Sequence, residues 1–267
     1  LCVEAKKVCD GQVDCTLSHD DERMCHVNDY CPKNCLCIGN IVFCKKATIQ
    51  IESFHPQLYI LMTRQTNVAL KPAAFFLMAH LVYLDMAFSE IDYIPPLTFL
   101  VQNYLKLLNL DHNPILSLSS HTFRGLFSLN YLKLCCGRLR ILPNYVFHDL
   151  RSLLKLNLDN NPINYLSKFA LEGLYSLQVI SLINVYPISI TQLTFRPLFS
   201  ITDFHASKIE FLCFLPSLSH TLGESKHCHK LLNTKAIKIL FLSNLSIIFI
   251  MNAIAVLYRV CKKSSAL

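Results

Sequence analysis

The chain has 267 residues, of which 52% are apolar, with a formal charge of +7 and 13 cysteines. Its basic residues are scattered and no basic–aromatic stripe accompanies them, which reads as a mildly basic secretory-pathway protein and speaks against a nucleic-acid partner. Eight of the cysteines precede residue 45, the density of small disulfide-stapled modules made in an oxidising compartment.

The sequence opens at Leu1 with neither an initiator nor a charged-apolar-small leader, and reads as a piece of a longer product. Its first stretch carries Cys2, then Cys9-Asp10-Gly11-x-x-Asp14-Cys15, then Asp21-Glu22-x-x-Cys25. That pattern resembles a low-density-lipoprotein-receptor class A module over residues 1–26, entered part-way through. The resemblance implies a Cys9–Cys25 disulfide and leaves Cys2 and Cys15 without partners. It also implies calcium, held by the carboxylates of Asp10, Asp14, Asp21 and Glu22 and the carbonyls of Val8 and Gln12. Hard oxygen donors in that number suit calcium. Two features depart from the family: Val8 stands where an aromatic is usual, and the loop from Cys15 to Asp21 is longer. The alternative is an acidic loop that binds no metal.

A linker, 27–30, leads to Cys31-Pro32-x-x-Cys35-x-Cys37 and Cys44. Closely spaced thiols also bind zinc. No histidine lies at ligand spacing, however, and a repeat array follows at once. Residues 31–44 resemble the N-terminal cap of extracellular leucine-rich repeats, which implies Cys31–Cys37 and Cys35–Cys44.

The array occupies 45–211. Leu105-x-x-Leu108-x-Leu110-x-x-Asn113-x-Ile115 recurs 24 residues later from Leu129, with Gly137 in the asparagine place, and again from Leu153 with Asn161. Weaker frames begin at Leu81, Leu177 and Ile201, and Leu58-x-x-Leu61 anchors the degenerate start. Phe75, Phe99, Phe123, Phe147 and Phe195 each stand six residues before a frame, with Leu171 in the missing place. Two columns at one period identify a leucine-rich repeat array. Leu-x-Leu sends two side chains to one face of a short strand, and no coil buries that face alone.

The residues between the leucines form a concave binding surface. Its central column reads Asp85, Asn109, Lys133, Asn157, Ser181, His205, and the next Ala87, Asp111, Cys135, Asp159, Ile183, Ser207. Candidate ligand contacts are Asp85, Asn109, Asp111, Asn157 and Asp159, since acids on such a face set on-rate and specificity toward a basic partner. The plain alternative is a solvated scaffold surface. Turns with Ser89, Gly137 or Val185 in the asparagine place are expected to be looser, because buried backbone groups there lack a partner. For Cys135 and Cys136 a vicinal disulfide, an intermolecular bond and free thiols all stay open.

Beyond the array lie a cap or hinge at 212–235, a transmembrane helix at 236–260 and a cytoplasmic stub at 261–267. Ile239 to Tyr258 is a run of 20 residues without charge, long enough to cross a bilayer. Flanking lysines nearly balance, so the cysteine modules place the N-terminal side outside. A glycolipid anchor is disfavoured by the basic tail, and Cys261 is a weak candidate for palmitoylation. His227-Cys228-His229 hints at a metal or thiol site, but no base–nucleophile pair supports an enzyme.

Class A motif, cap, repeats, Phe195-Arg196-Pro197-Leu198, then Phe211-x-Cys213 and Cys228-x-x-Leu231-Leu232 before an apolar helix: the combination resembles the relaxin-family peptide receptors. The resemblance covers nearly the whole chain and implies a Cys213–Cys228 disulfide. It further implies a plasma-membrane receptor for a peptide hormone of the relaxin/insulin fold, coupled in full length to a heterotrimeric G protein, with the N-terminal module assisting activation. The array is shorter than that family's, its concave acids are sparser, and one helix stands where seven are expected. A single-pass adhesion protein or hormone decoy is the other reading. The expected fold is an α/β leucine-rich-repeat solenoid, a curved parallel sheet, with a disulfide-rich N-terminal module and one C-terminal transmembrane helix.

Overall fold

The computed structural model describes residues 31–46, 48–188 and 192–207. The class A motif with its calcium set, the Cys213–Cys228 pair, the span 236–260 and Cys261 lie outside the described residues. Among the described residues no helix is long and apolar enough to cross a membrane.

Two strands, β1 (Cys35–Ile38) and β2 (Ile41–Lys45), form an antiparallel hairpin. The chain continues through β3 (Thr48–Ile49), β4 (Ile60–Arg64), β5 (Asn67–Val68), β6 (Tyr83–Asp85), β7 (Leu107–Asn109) and β8 (Tyr131–Lys133). Then come β9 (Ile141–Leu142), β10 (Lys155–Asn157), β11 (Tyr165–Leu166), β12 (Val179–Leu182), the short helix α1 (Gln192–Phe195) and β13 (Asp203–Ala206). Nine strands make one sheet in the order β1-β2-β4-β6-β7-β8-β10-β12-β13, parallel from β2 onward.

The register follows the leucine frame. Leu84, Leu108, Leu132, Leu156, Ile180 and Phe204 stand side by side, each at most 2% exposed. The preceding apolar column, Leu81 to Leu177, and the following one, Met86 to Ala206, are buried with it. Each such side chain withdrawn from water contributes about 1.5–3 kcal/mol, which a lone coil could not collect.

The phenylalanines close the opposite side as a stack of near-parallel rings. Centroids lie 5.6 Å apart for Phe75–Phe99, 6.5 Å for Phe99–Phe123 and 5.9 Å for Phe123–Phe147. Leu171 takes the next place and Phe195 the one after, both buried. The sides of the coils away from the large sheet are built from turns and the two-stranded ladders β3–β5 and β9–β11. Helix contributes only α1 and a single 3-10 turn at Ile51–Ser53 among the described residues, so the expected α/β character reduces to a β-solenoid. A 24-residue coil spends its length on turns that bury the phenylalanine, leaving no span for a helix of ordinary length.

At the cap, Cys35 faces Cys44 across the hairpin and is bonded to it, while Cys31 is bonded to Cys37. Val42 and Cys44 are 2% and 3% exposed, so β2 seals the apolar end of the first coil.

The turns are tighter than the damaged asparagine column leads one to expect. Asn113 Nδ2 donates to Met86 O at 2.8 Å and Leu110 O at 3.0 Å. Its Oδ1 accepts from the Ser89 N–H at 2.8 Å and the Ile91 N–H at 3.1 Å. Asn161 repeats this one step along: Nδ2 donates to Leu134 O and Leu158 O, and Oδ1 accepts from the Leu139 N–H at 3.2 Å. Each asparagine thus serves its own coil and the one before, and two cover four turns. Gly137 is part of this device, since a Cβ there would lie 2.9 Å from both Asn113 O and Asn161 Oδ1.

A candidate ligand-binding face

The strand face carries three columns of side chains. Strand pairing aligns Met62, Asp85, Asn109, Lys133, Asn157, Ser181 and His205 in the middle. On one side run Tyr83, Leu107, Tyr131, Lys155, Val179 and Asp203. On the other, two residues past the middle column, run Arg64, Ala87, Asp111, Cys135, Asp159, Ile183 and Ser207.

Asp85 departs from the expectation of an exposed acid. Its carboxylate is fully buried, and its Oδ2 accepts from Arg64 Nε at 2.9 Å and from Nη2 of the same guanidinium. Oδ1 accepts from the Ala87 N–H at 3.0 Å. A buried carboxylate keeps its charge only when paired and hydrogen-bonded, and here it has both. The Arg64 side chain, 53% exposed, is what a partner meets at this place. The bond to Asp85 holds the Arg64 guanidinium more firmly protonated, and burial raises Tyr83, with the Asp85 charge adding to it.

Asn109 is likewise buried, at 5% exposure. Asn109 and Asn157 repeat the Asp85 device, with Oδ1 accepting the N–H two residues on, at 3.1 and 2.8 Å. Asp111 and Asp159 bridge coils: Oδ1 of Asp111 accepts the Cys135 N–H, and Oδ1 of Asp159 the Ile183 N–H, both at 2.7 Å. All five candidate residues therefore hold backbone. Asp111 and Asp159 alone are half-exposed carboxylates whose Oδ2 accepts no bond from the described residues. Burial raises the Asp111 carboxyl above its ordinary value, against the Cys135 N–H and the Lys133 charge.

Lys133 stands between these two acids, and Lys155 lies over the Tyr131 ring at 5.6 Å. At the cap end the face opens into a hollow of about 800 Å³ lined by Leu36, Phe43, Met62, Arg64, Gln65 and Phe88. Leu36 is 59% and Phe43 38% exposed, so the hollow presents apolar side chains, with the cations of Lys45 and Arg64 in the same lining. Neither Arg64 nor this hollow was among the expected sites. The signal existed: carrying the frame back to Leu58-x-x-Leu61 puts Met62 in the middle column and Arg64 in the next. Cys135 and Cys136 are joined to each other by a disulfide.

Residues 103–163 and 128–184 match the family model "Leucine rich repeat", so the middle of the chain consists of leucine-rich repeats. A crystal structure of a TLR13–ssRNA13 complex is similar, with 23% identity and a TM-score of 0.54 over 56% of this chain and 21% of that one. This chain thus spans about a fifth of that protein's length. Since 207 solved chains match, the likeness speaks for the architecture and not for a ligand. No curated protein matches the chain in sequence.

Proposed function

We propose that the repeats form the ligand-capturing arm of a cell-surface receptor of the relaxin-family peptide receptor type. Its ligand is a peptide hormone of the relaxin/insulin fold, and the full-length receptor couples to a heterotrimeric G protein at the plasma membrane. The N-terminal region lies outside the cell, the C-terminus lies in the cytoplasm, and the class A motif holds calcium and assists activation.

The observation that carries the binding reading is the strand face itself. Asp111 and Asp159 each offer a free carboxylate oxygen two strands apart, about 10 Å at the usual strand spacing, a pitch suited to two basic side chains on one peptide. The hollow at Leu36, Phe43 and Met62 adds an apolar socket of the kind in which an anchoring side chain concentrates binding energy. A face carrying both signs of charge and an apolar end fits a folded peptide better than a polyanion, which needs a continuous basic field. The receptor class rests on the sequence motifs at residues 9–25 and 195–232.

A single-pass adhesion protein or hormone decoy would use the same face, and the coding sequence past Leu267 separates the two. Six further apolar segments there support the coupled receptor, and a stop codon supports the decoy. Binding itself is tested by displaying the chain on cells and titrating a labelled insulin-fold peptide with exposed arginines. Saturable uptake supports the assignment, and none at micromolar peptide removes it.

A further inference from the structure

Five residues spaced at 24 share an unusual backbone: Phe88, His112, Cys136, Asn160 and Asn184 have φ of 58, 58, 63, 53 and 60°. Left-handed backbone is disfavoured for side chains with a Cβ, and bulky ones are seldom found there. Stacking puts these residues in one row along the edge of the strand face, each N–H bonded to the next coil: Phe88 to Asp111 O, His112 to Cys135 O, Cys136 to Asp159 O and Asn160 to Ile183 O. Their side chains touch in turn. The Phe88 and His112 rings stack at 4.2 Å, Asn160 Nδ2 lies 3.7 Å from Cys136 Sγ, and Asn184 Nδ2 donates to Asn160 Oδ1 at 2.8 Å.

In the middle of this row one ring nitrogen of His112 and the sulfurs of Cys135 and Cys136 all lie within 4.8 Å of one another. The histidine is exposed and both cysteines are half-buried, so solvent and small reagents reach all three. We propose that His112, Cys135 and Cys136 form a redox-gated site for a borderline-soft divalent cation of the zinc class: closed while the cysteines are bonded to each other, open when they are reduced.

The chemistry is balanced by an external dithiol. It delivers two electrons and two protons to the Cys135–Cys136 bond, leaves as its own disulfide, and two thiols remain. The cation then displaces both thiol protons and takes two thiolates and one imidazole nitrogen, with a fourth position left to water. Two sulfurs and a nitrogen select zinc-class ions over calcium or magnesium, which take oxygen. The Phe88 ring fixes the imidazole orientation, and the Asn160 amide stands ready to donate to the Cys136 thiolate, the kind of outer contact that steadies a ligand.

Cobalt(II) serves as the spectroscopic probe on the full chain. After phosphine reduction the native protein is expected to take up one more equivalent than a Cys135→Ser/Cys136→Ser variant, with a thiolate-to-cobalt charge-transfer band. The difference spectrum cancels the cap cysteines, which both proteins share. Without reduction the extra band is absent. His112→Ala, a change at an exposed side chain, is expected to need roughly 10–100-fold more cobalt. Identical spectra for the native and double-serine proteins overturn the site, as does a full band in the unreduced protein. A His112→Ala titration that overlays the native one removes the histidine and with it the site as composed.

Discussion

The Asp111 carboxylate reaches into the next coil and accepts the Cys135 N–H at 2.7 Å, and this one bond ties a candidate ligand contact to the scaffold. Asp111→Asn keeps an oxygen acceptor at that place, whereas Asp111→Ala removes it and is expected to cost about 1 kcal/mol, near the low end for an unsatisfied group that water can partly reach. The charge has its own signature. Burial raises the folded-state pKa above the unfolded value, so the folded form holds its proton more strongly. Stability from this group is then full at low pH and is lost as pH rises through the carboxylate range. Melting temperatures from about pH 4 to pH 7 should fall for the native protein relative to Asp111→Asn. A difference that stays flat or grows contradicts the burial of this acid.

Arg64 and Asp85 predict an asymmetry. Arg64→Ala strands a fully buried carboxylate and is expected to cost about 3–5 kcal/mol. Asp85→Asn keeps an acceptor for the Ala87 N–H and frees a guanidinium that already reaches water, so about 1–2 kcal/mol is expected. Denaturant midpoints for the two variants decide it. Equal losses would mean that Asp85 is not sealed under the arginine.

Much of this was legible in the sequence, for a physical reason. The period of 24 residues is the coil length, so the leucine and phenylalanine columns set strand register and core without reference to distant contacts. What escaped reading depends on neighbouring coils. Asp85 looks exposed from its own frame and is covered only because Arg64 precedes it by 21 residues, in a coil whose leucines are sparse. The backward reach of Asn113 and Asn161 is similarly invisible within one repeat. Of the left-handed row, His112, Asn160 and Asn184 are residue types that tolerate such a backbone, and their spacing in multiples of 24 was a usable clue. Phe88 and Cys136 gave none.

Asn161 offers a localised test of the shared-turn device. Asn161→Ala unbonds Leu134 O, Leu158 O and the Leu139 N–H, and is expected to cost about 3–4 kcal/mol, near the low end of roughly 1–3 kcal/mol for each of three stranded buried groups. Hydrogen exchange should quicken at Leu139, a coil before the mutation. Exchange that quickens only within residues 153–176 would show that the asparagine serves its own coil alone.

Phe123 sits between Phe99 and Phe147 in the ring stack. Phe123→Ala should cost about 3–5 kcal/mol through the cavity it leaves. Phe123→Leu should cost much less, about 1–1.5 kcal/mol, because Leu171 fills the same column natively with 1% exposure. Thermal melts of the two variants that fail to separate would argue that the stack is not continuous.

The most direct test of ligand capture by the strand face uses Asp111→Asn/Asp159→Asn, which removes both charges and keeps both backbone acceptors. In a surface-binding assay with an insulin-fold peptide bearing exposed arginines, association should slow and affinity fall roughly 5–30-fold, about 1–2 kcal/mol, with the loss shrinking at high salt. A peptide that binds the double variant with native affinity and native salt dependence contradicts the assignment of these acids and of this face.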